Sequence, residues 1–109
     1  MKLLIAGSRS IKTLDISPFV PEGTDFIISG GAIGVDTLAE RYADARRLSK
    51  LILRPDYASY GKGAPLIRNK TMVELADEVL IFWDGVSRGT KFTADYAAKL
   101  GKKVIMIRV

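Results

Sequence analysis

A chain of 109 residues, 48% hydrophobic and 27% charged, is enough for one packed domain over residues 1–109 and too short for two. It contains no cysteine and no histidine, which excludes disulfides, thiolate nucleophiles, imidazole-based triads and the usual zinc ligands, so no metal and no resident cofactor is expected. Seventeen Lys and Arg against twelve Asp and Glu give a net charge of +5, a surplus that favours an anionic partner such as a phosphate-bearing ligand or nucleic acid.

Residues 2–6 form a short apolar run stopped by Gly7-Ser8, a first strand too brief for a signal peptide. Residues 11–21 are limited by Pro18 and Pro21 to a short or broken helix. A second strand, 25–29, runs into Gly30-Gly31. From Val35 the apolar positions Leu38, Ala39, Tyr42, Ala45 and Leu48 recur at three- and four-residue steps, predicting an amphipathic helix. A third strand over 51–54 ends at Pro55, and a flexible stretch over 57–63 leads into a helix from about residue 64 to 76. The fourth strand, 78–83, stops at Asp84-Gly85. Phe92, Tyr96, Ala97 and Leu100 then mark a helix ended by Gly101, and residues 103–109 make the fifth strand. No apolar run approaches the ~20 residues that cross a bilayer, so no membrane partner is expected and the location is expected to be cytoplasmic.

The strands lack polar alternation, as parallel strands covered on both faces do, and helices separate them. The chain therefore reads as α/β: a Rossmann-like three-layer α/β/α fold with a five-stranded parallel sheet. Periodicity leaves the strand order open between 3-2-1-4-5 and 2-1-3-4-5.

In such sheets ligands sit beyond the carboxyl ends of the strands, where the strand order reverses. Six of the ten glycines lie in the loops after strands one, two and four: Gly7, Gly30, Gly31, Gly34, Gly85 and Gly89. Gly30-Gly31-Ala32-Ile33-Gly34, between a strand and a helix, reads as a loop whose amides approach a phosphate, or as a tight turn with no ligand. The spacing matches neither the dinucleotide fingerprint nor the Walker loop. Ser87, Gly89 and Thr90 form a second candidate loop, in which a hydroxyl can equally be a helix cap. Ser8 and Arg9 add a hydroxyl and a guanidinium from the first loop. Asp36 suits the first turn of a helix or a ribose hydroxyl, and Arg68-Asn69 is uninformative by itself.

Together Gly7-Ser8-Arg9, the segment from Ser29 to Asp36 with Ala39, Arg68-Asn69, and the segment from Trp83 to Thr90 resemble the SLOG superfamily, in particular its small YspA/YpsA-related members. The resemblance spans nearly the whole chain. It implies the order 3-2-1-4-5, a nucleotide or nucleotide-derived ligand, and frequent self-association, so a homo-oligomer is among the expected states. The implied ligand-binding set is Gly7, Ser8, Arg9, Gly30, Gly31, Ala32, Gly34, Asp36, Arg68, Asn69, Asp84, Gly85, Ser87, Gly89 and Thr90. In the LOG branch a glutamate cleaves the N-glycosidic bond of a nucleotide; here the corresponding position is Thr93, which leaves Asp84 and Asp95 as the carboxylates available for such a hydrolase. The DprA branch, which shares the glycine loop, the Arg-Asn pair and the Ser-x-Gly segment, implies single-stranded DNA as an alternative partner.

Overall fold

The computed structural model, which describes residues 1–109, contains five parallel strands: β1 (Lys2–Gly7), β2 (Phe26–Ser29), β3 (Ser49–Ile52), β4 (Glu78–Trp83) and β5 (Lys103–Arg108). Their order is β3-β2-β1-β4-β5, the one the resemblance implies. β1 lies at the centre, paired through Leu3 to Ile27 on one side and through Ile5 to Leu80 on the other. Leu3, Leu4 and Ile5 are all fully buried, which requires cover on both faces of the sheet.

That cover divides by the parity of the strand residues. Leu3, Ile5, Ile27, Leu80 and Phe82 pack against α1 (Val35–Ala45) and the segment from Ile11 to Val20, in which a single 3-10 turn, Ser17–Phe19, carries Pro18. Leu4, Ala6, Ile28, Val79 and Ile81 pack against α3 (Ala64–Leu75) and α4 (Arg88–Lys99). The crossovers that step from β1 to β2 to β3 lie on the first face; those from β3 to β4 to β5 lie on the second. The direction of winding therefore changes between β1 and β4, and a crevice opens beyond their carboxyl ends.

Four local expectations are corrected. β3 covers Ser49–Ile52, because its ladder with β2 begins at Phe26 and Ser49 and ends where β2 ends, at Ser29. Residues 57–63, for which no element was expected, form the short helix α2 (Tyr57–Tyr60) and a 3-10 turn, Gly61–Gly63, with the Asp56 carboxylate accepting from the Ser59 amide at 3.1 Å as an N-cap. On α1, Ala43 rather than Ala45 faces the core, and Leu48 lies beyond the helix end. On α4 the buried face is Thr90, Thr93, Ala94 and Ala97, small residues that let the helix approach the sheet closely. Phe92 and Tyr96 instead stack on each other at 6.3 Å, with the Lys70 ammonium of α3 over both rings, and Leu100 is exposed.

Gly101 ends α4 as expected: at φ +75° it turns the chain so that the Lys102 amide reaches the Ala97 carbonyl at 3.0 Å. No helix is long and apolar enough to cross a membrane.

Candidate functional site

Beyond the carboxyl ends of β1 and β4 lies a cavity of about 360 Å3. The end of β1 and the loop after it contribute Gly7, Arg9 and Ser10; the loop after β2 and the start of α1 contribute Ala32 and Asp36. α3 lends Pro65, Leu66, Arg68, Asn69 and Met72, and Asp84, Ser87, Gly89, Thr90 and Thr93 close the far wall. A neighbouring cavity of about 260 Å3 shares Arg9, Ala32 and Arg68 with the first and adds Gly30, Gly31, Arg54, Pro55 and Tyr57.

The glycine loop after β2 is held largely by the protein itself. Asp36 Oδ2 accepts from the Ala32 amide at 3.1 Å, the Gly30 carbonyl accepts from Arg68 Nη1 at 2.6 Å, and the Gly31 carbonyl accepts from Arg54 Nη1 at 3.0 Å. Gly34, at φ +81°, abuts the first loop so closely that a Cβ there would stand 2.6 Å from the carbonyl oxygens of Ser8 and Arg9. That residue has to be glycine to let the two loops touch. Burial pushes the Asp36 carboxyl up to about 6, against the opposing pull of the Ala32 amide and the Arg68 guanidinium. Arg68 is half-buried and shifted down by desolvation, with Asp36 opposing that shift.

The loop after β4 is organised differently. Asp84 Oδ1 accepts from the amides of Val86 and Ser87, each at 2.9 Å, and Oδ2 accepts from Ser10 Oγ at 2.8 Å. These backbone bonds, then the Ser10 hydroxyl, hold its carboxyl down at about 2. With both oxygens engaged, Asp84 braces the loop. The amides of Gly89 and Thr90, in the first turn of α4, have no hydrogen-bond partner within the protein, and both residues line the larger cavity. At Gly89 nothing lies within 4 Å of where a Cβ would stand. Ser87 Oγ and Thr90 Oγ1 share a hydrogen bond at 2.9 Å, and Thr93 Oγ1 donates to the Gly89 carbonyl at 2.9 Å.

Of the residues implicated from the sequence, Gly7, Arg9, Ala32, Asp36, Arg68, Asn69, Asp84, Ser87, Gly89 and Thr90 meet at the larger cavity, and Gly30 and Gly31 at the smaller. Ser8, Gly34 and Gly85 line neither. Ser8 is fully buried and its Oγ accepts from the Asp84 amide at 3.0 Å, which ties the first loop to the fourth. Gly85 makes room for the Arg108 guanidinium, 2.3 Å from where its Cβ would stand. Asp95 is outside the cavity, in an exposed ion pair with Lys91 at 2.6 Å. Sequence reasoning missed Ser10, Leu66, Met72, Arg54 and Tyr57, and named Thr93 only as the position of the LOG-branch glutamate. Arg54 was within reach of the same strand-end rule, since it follows β3 as Arg9 follows β1. Carboxylates nowhere gather in a group of three or more suited to a metal ion.

The chain is 36% identical over 85 residues to the Gene 61 protein of Mycobacterium phage D29, an alignment covering 72% of this chain and 68% of the phage protein. No protein-family profile matches it. No solved structure matches it either.

Proposed function

We propose that this chain, which belongs to the family of the Gene 61 protein of Mycobacterium phage D29, binds a nucleotide or nucleotide-derived ligand through its phosphate at the carboxyl end of the sheet. The observation that carries this reading is the pair of unpartnered amides, Gly89 and Thr90, at the positive end of a twelve-residue helix, facing a cavity that Arg9 also lines. The phosphate rests on those amides with Arg9 as its charge-assisted partner, while Leu66 and Met72 supply apolar wall for a base. A cavity of about 360 Å3 falls in the range of small-molecule sites, ~300–1,000 Å3. This reading moves the anion from the glycine loop after β2 to the start of α4, because in the former the Gly31 and Ala32 amides at the cavities are already engaged by Ser29 Oγ and Asp36 Oδ2. Isothermal titration with nucleoside monophosphates and ADP-ribose is expected to show binding that Gly89→Val or Arg9→Ala weakens by about tenfold or more. Absence of binding across the series overturns the proposal.

A second reading is favoured by one observation. Asp36 lines the same cavity with a carboxyl held at about 6, within the range where an acid can deliver a proton near neutrality. Hydrolysis of an N-glycosidic or phosphoribosyl bond would use it to protonate the leaving group. Incubation with nucleoside monophosphates and chromatography for free base tests this; unchanged nucleotide ends it for those substrates.

A further inference from the structure

The smaller cavity poses a charge problem that the fold solves only in part, through Asp36. Arg9, Arg54 and Arg68 all line it, yet none of the protein's ion pairs, Met1 with Asp25, Lys50 with Asp44, Lys91 with Asp95 and Lys103 with Glu78, involves any of them. Two of the three guanidiniums are held in place by carbonyls: Arg54 by Gly31, and Arg68 by Gly30 at 2.6 Å and by Leu53 at 3.3 Å. Arg68 Nε is further fixed on Asn69 Oδ1 at 2.8 Å. Each of those two still has N–H donors without a protein acceptor, and Arg9 makes no hydrogen bond to the protein through its side chain. Solvated surface arginines are free to swing apart. Here Arg54 and Arg68 are fastened to consecutive carbonyls of one loop, which keeps like charges close. Asp36, whose carboxylate interacts with the charges of Arg68 and Arg9, has one oxygen committed to the Ala32 amide and lies on the wall of the larger cavity.

We infer that this cavity is a second anion subsite, with Arg9, Arg54 and Arg68 around a phosphate, and that the ligand is a nucleotide carrying a second phosphate group on its sugar, a nucleoside bisphosphate. Planar guanidinium forks suit tetrahedral phosphate oxygens, and fixed forks lose little side-chain freedom on binding it. One molecule spans both cavities because they share Arg9, Ala32 and Arg68 as a common wall. Tyr57, a residue 59% exposed that lines the smaller cavity, offers a phenol donor to the same group. The inference rests on the nucleotide reading of the larger cavity and adds to it the number and placement of phosphates.

The test is isothermal titration of the whole chain and of Arg54→Gln with the 5'-monophosphates and the 3',5'-bisphosphates of the four ribonucleosides. Arg54 is exposed and outside the larger cavity, and circular dichroism verifies that the variant folds. At least one bisphosphate is expected to bind about tenfold or more tightly than its monophosphate, and Arg54→Gln to abolish that advantage while leaving monophosphate affinity in place. Equal affinity for the two ligand sets, or an advantage that survives Arg54→Gln, overturns the inference. If no nucleotide binds, thermal shift with inorganic phosphate separates the two ideas. Stabilisation lost in Arg54→Gln retains the subsite and rejects the nucleotide reading; no stabilisation rejects both. A single-stranded oligonucleotide completes the series: Arg54-dependent binding to it tighter than to any bisphosphate assigns the second phosphate to a strand and overturns the small-molecule assignment.

Discussion

The loops after β2 and after β4 look alike in sequence, each running from a buried strand through glycines and hydroxyls into a helix, yet they use glycine for opposite purposes. In the first, Gly34 sits at φ +81° with backbone oxygens 2.6 Å from its absent Cβ, so the lack of a side chain serves contact between parts of the protein. In the second, Gly89 has nothing within 4 Å, so the same lack leaves the helix end open. The first loop has its Gly31 and Ala32 amides and its Gly30 and Gly31 carbonyls engaged within the protein, while in the second the Gly89 and Thr90 amides at the larger cavity have no partner there. Glycine density alone does not distinguish a packing loop from a binding loop; what matters is which backbone groups remain unpaired.

The sharpest way to break the contrast is Gly34→Ala, which combines a glycine-only backbone conformation with a carbonyl clash and is expected to cost about 3 kcal/mol or more in urea unfolding. An effect below about 1 kcal/mol would mean that the first loop is not the rigid one. Next is Asp36. Its folded-state carboxyl lies near 6 against an ordinary 3.8, so the folded protein binds the proton more tightly than the unfolded chain. The stability this confers is fully present below pH 3.8 and is lost as the pH rises through about 6, a decline of at most about 3 kcal/mol. Asp36→Asn keeps an acceptor for the Ala32 amide and removes the ionisation, so its stability relative to the parent should rise between pH 4 and 7; parallel pH profiles would refute the buried-carboxyl account. Gly89→Ala should leave stability unchanged or raise it by up to about 1 kcal/mol, since alanine suits a helix better, while weakening nucleotide binding. Smallest is Asp95→Asn. Loss of an exposed pair on one helix face should change stability by less than about 0.5 kcal/mol and leave ligand binding and any free-base release untouched.

Much of the fold was legible because buried parallel strands concentrate β-branched and leucine side chains. The span 78–83 coincides with β4, and Gly101 marks the end of α4 through the left-handed turn only glycine takes easily. The buried face of α4 escaped because Thr90, Thr93, Ala94 and Ala97 are small and partly polar. Periodicity weights the large rings of Phe92 and Tyr96, which here cover the helix's contact with α3. At the site, the spacing of glycines identified where loops converge. It carried no information on which backbone groups would be occupied, since that depends on Asp36 reaching the Ala32 amide, 4 residues earlier, and Arg68 reaching the Gly30 carbonyl, 38 residues earlier. Arg54 was within reach as a residue at a strand end, but its hold on a carbonyl 23 residues earlier in the chain was not.

Ser8 gives the site a mechanical property. Its hydroxyl accepts the Asp84 amide while its carbonyl receives the Ile11 and Val35 amides at 3.3 and 3.5 Å, so one buried residue rivets together the turns that follow β1, β2 and β4. Displacements of Arg9 and of the α4 terminus are thereby coupled, and an incoming ligand meets a cradle already set in shape. Recognition then costs little ordering entropy, and selectivity follows from fit to a fixed outline rather than from a loop that moulds itself around each guest.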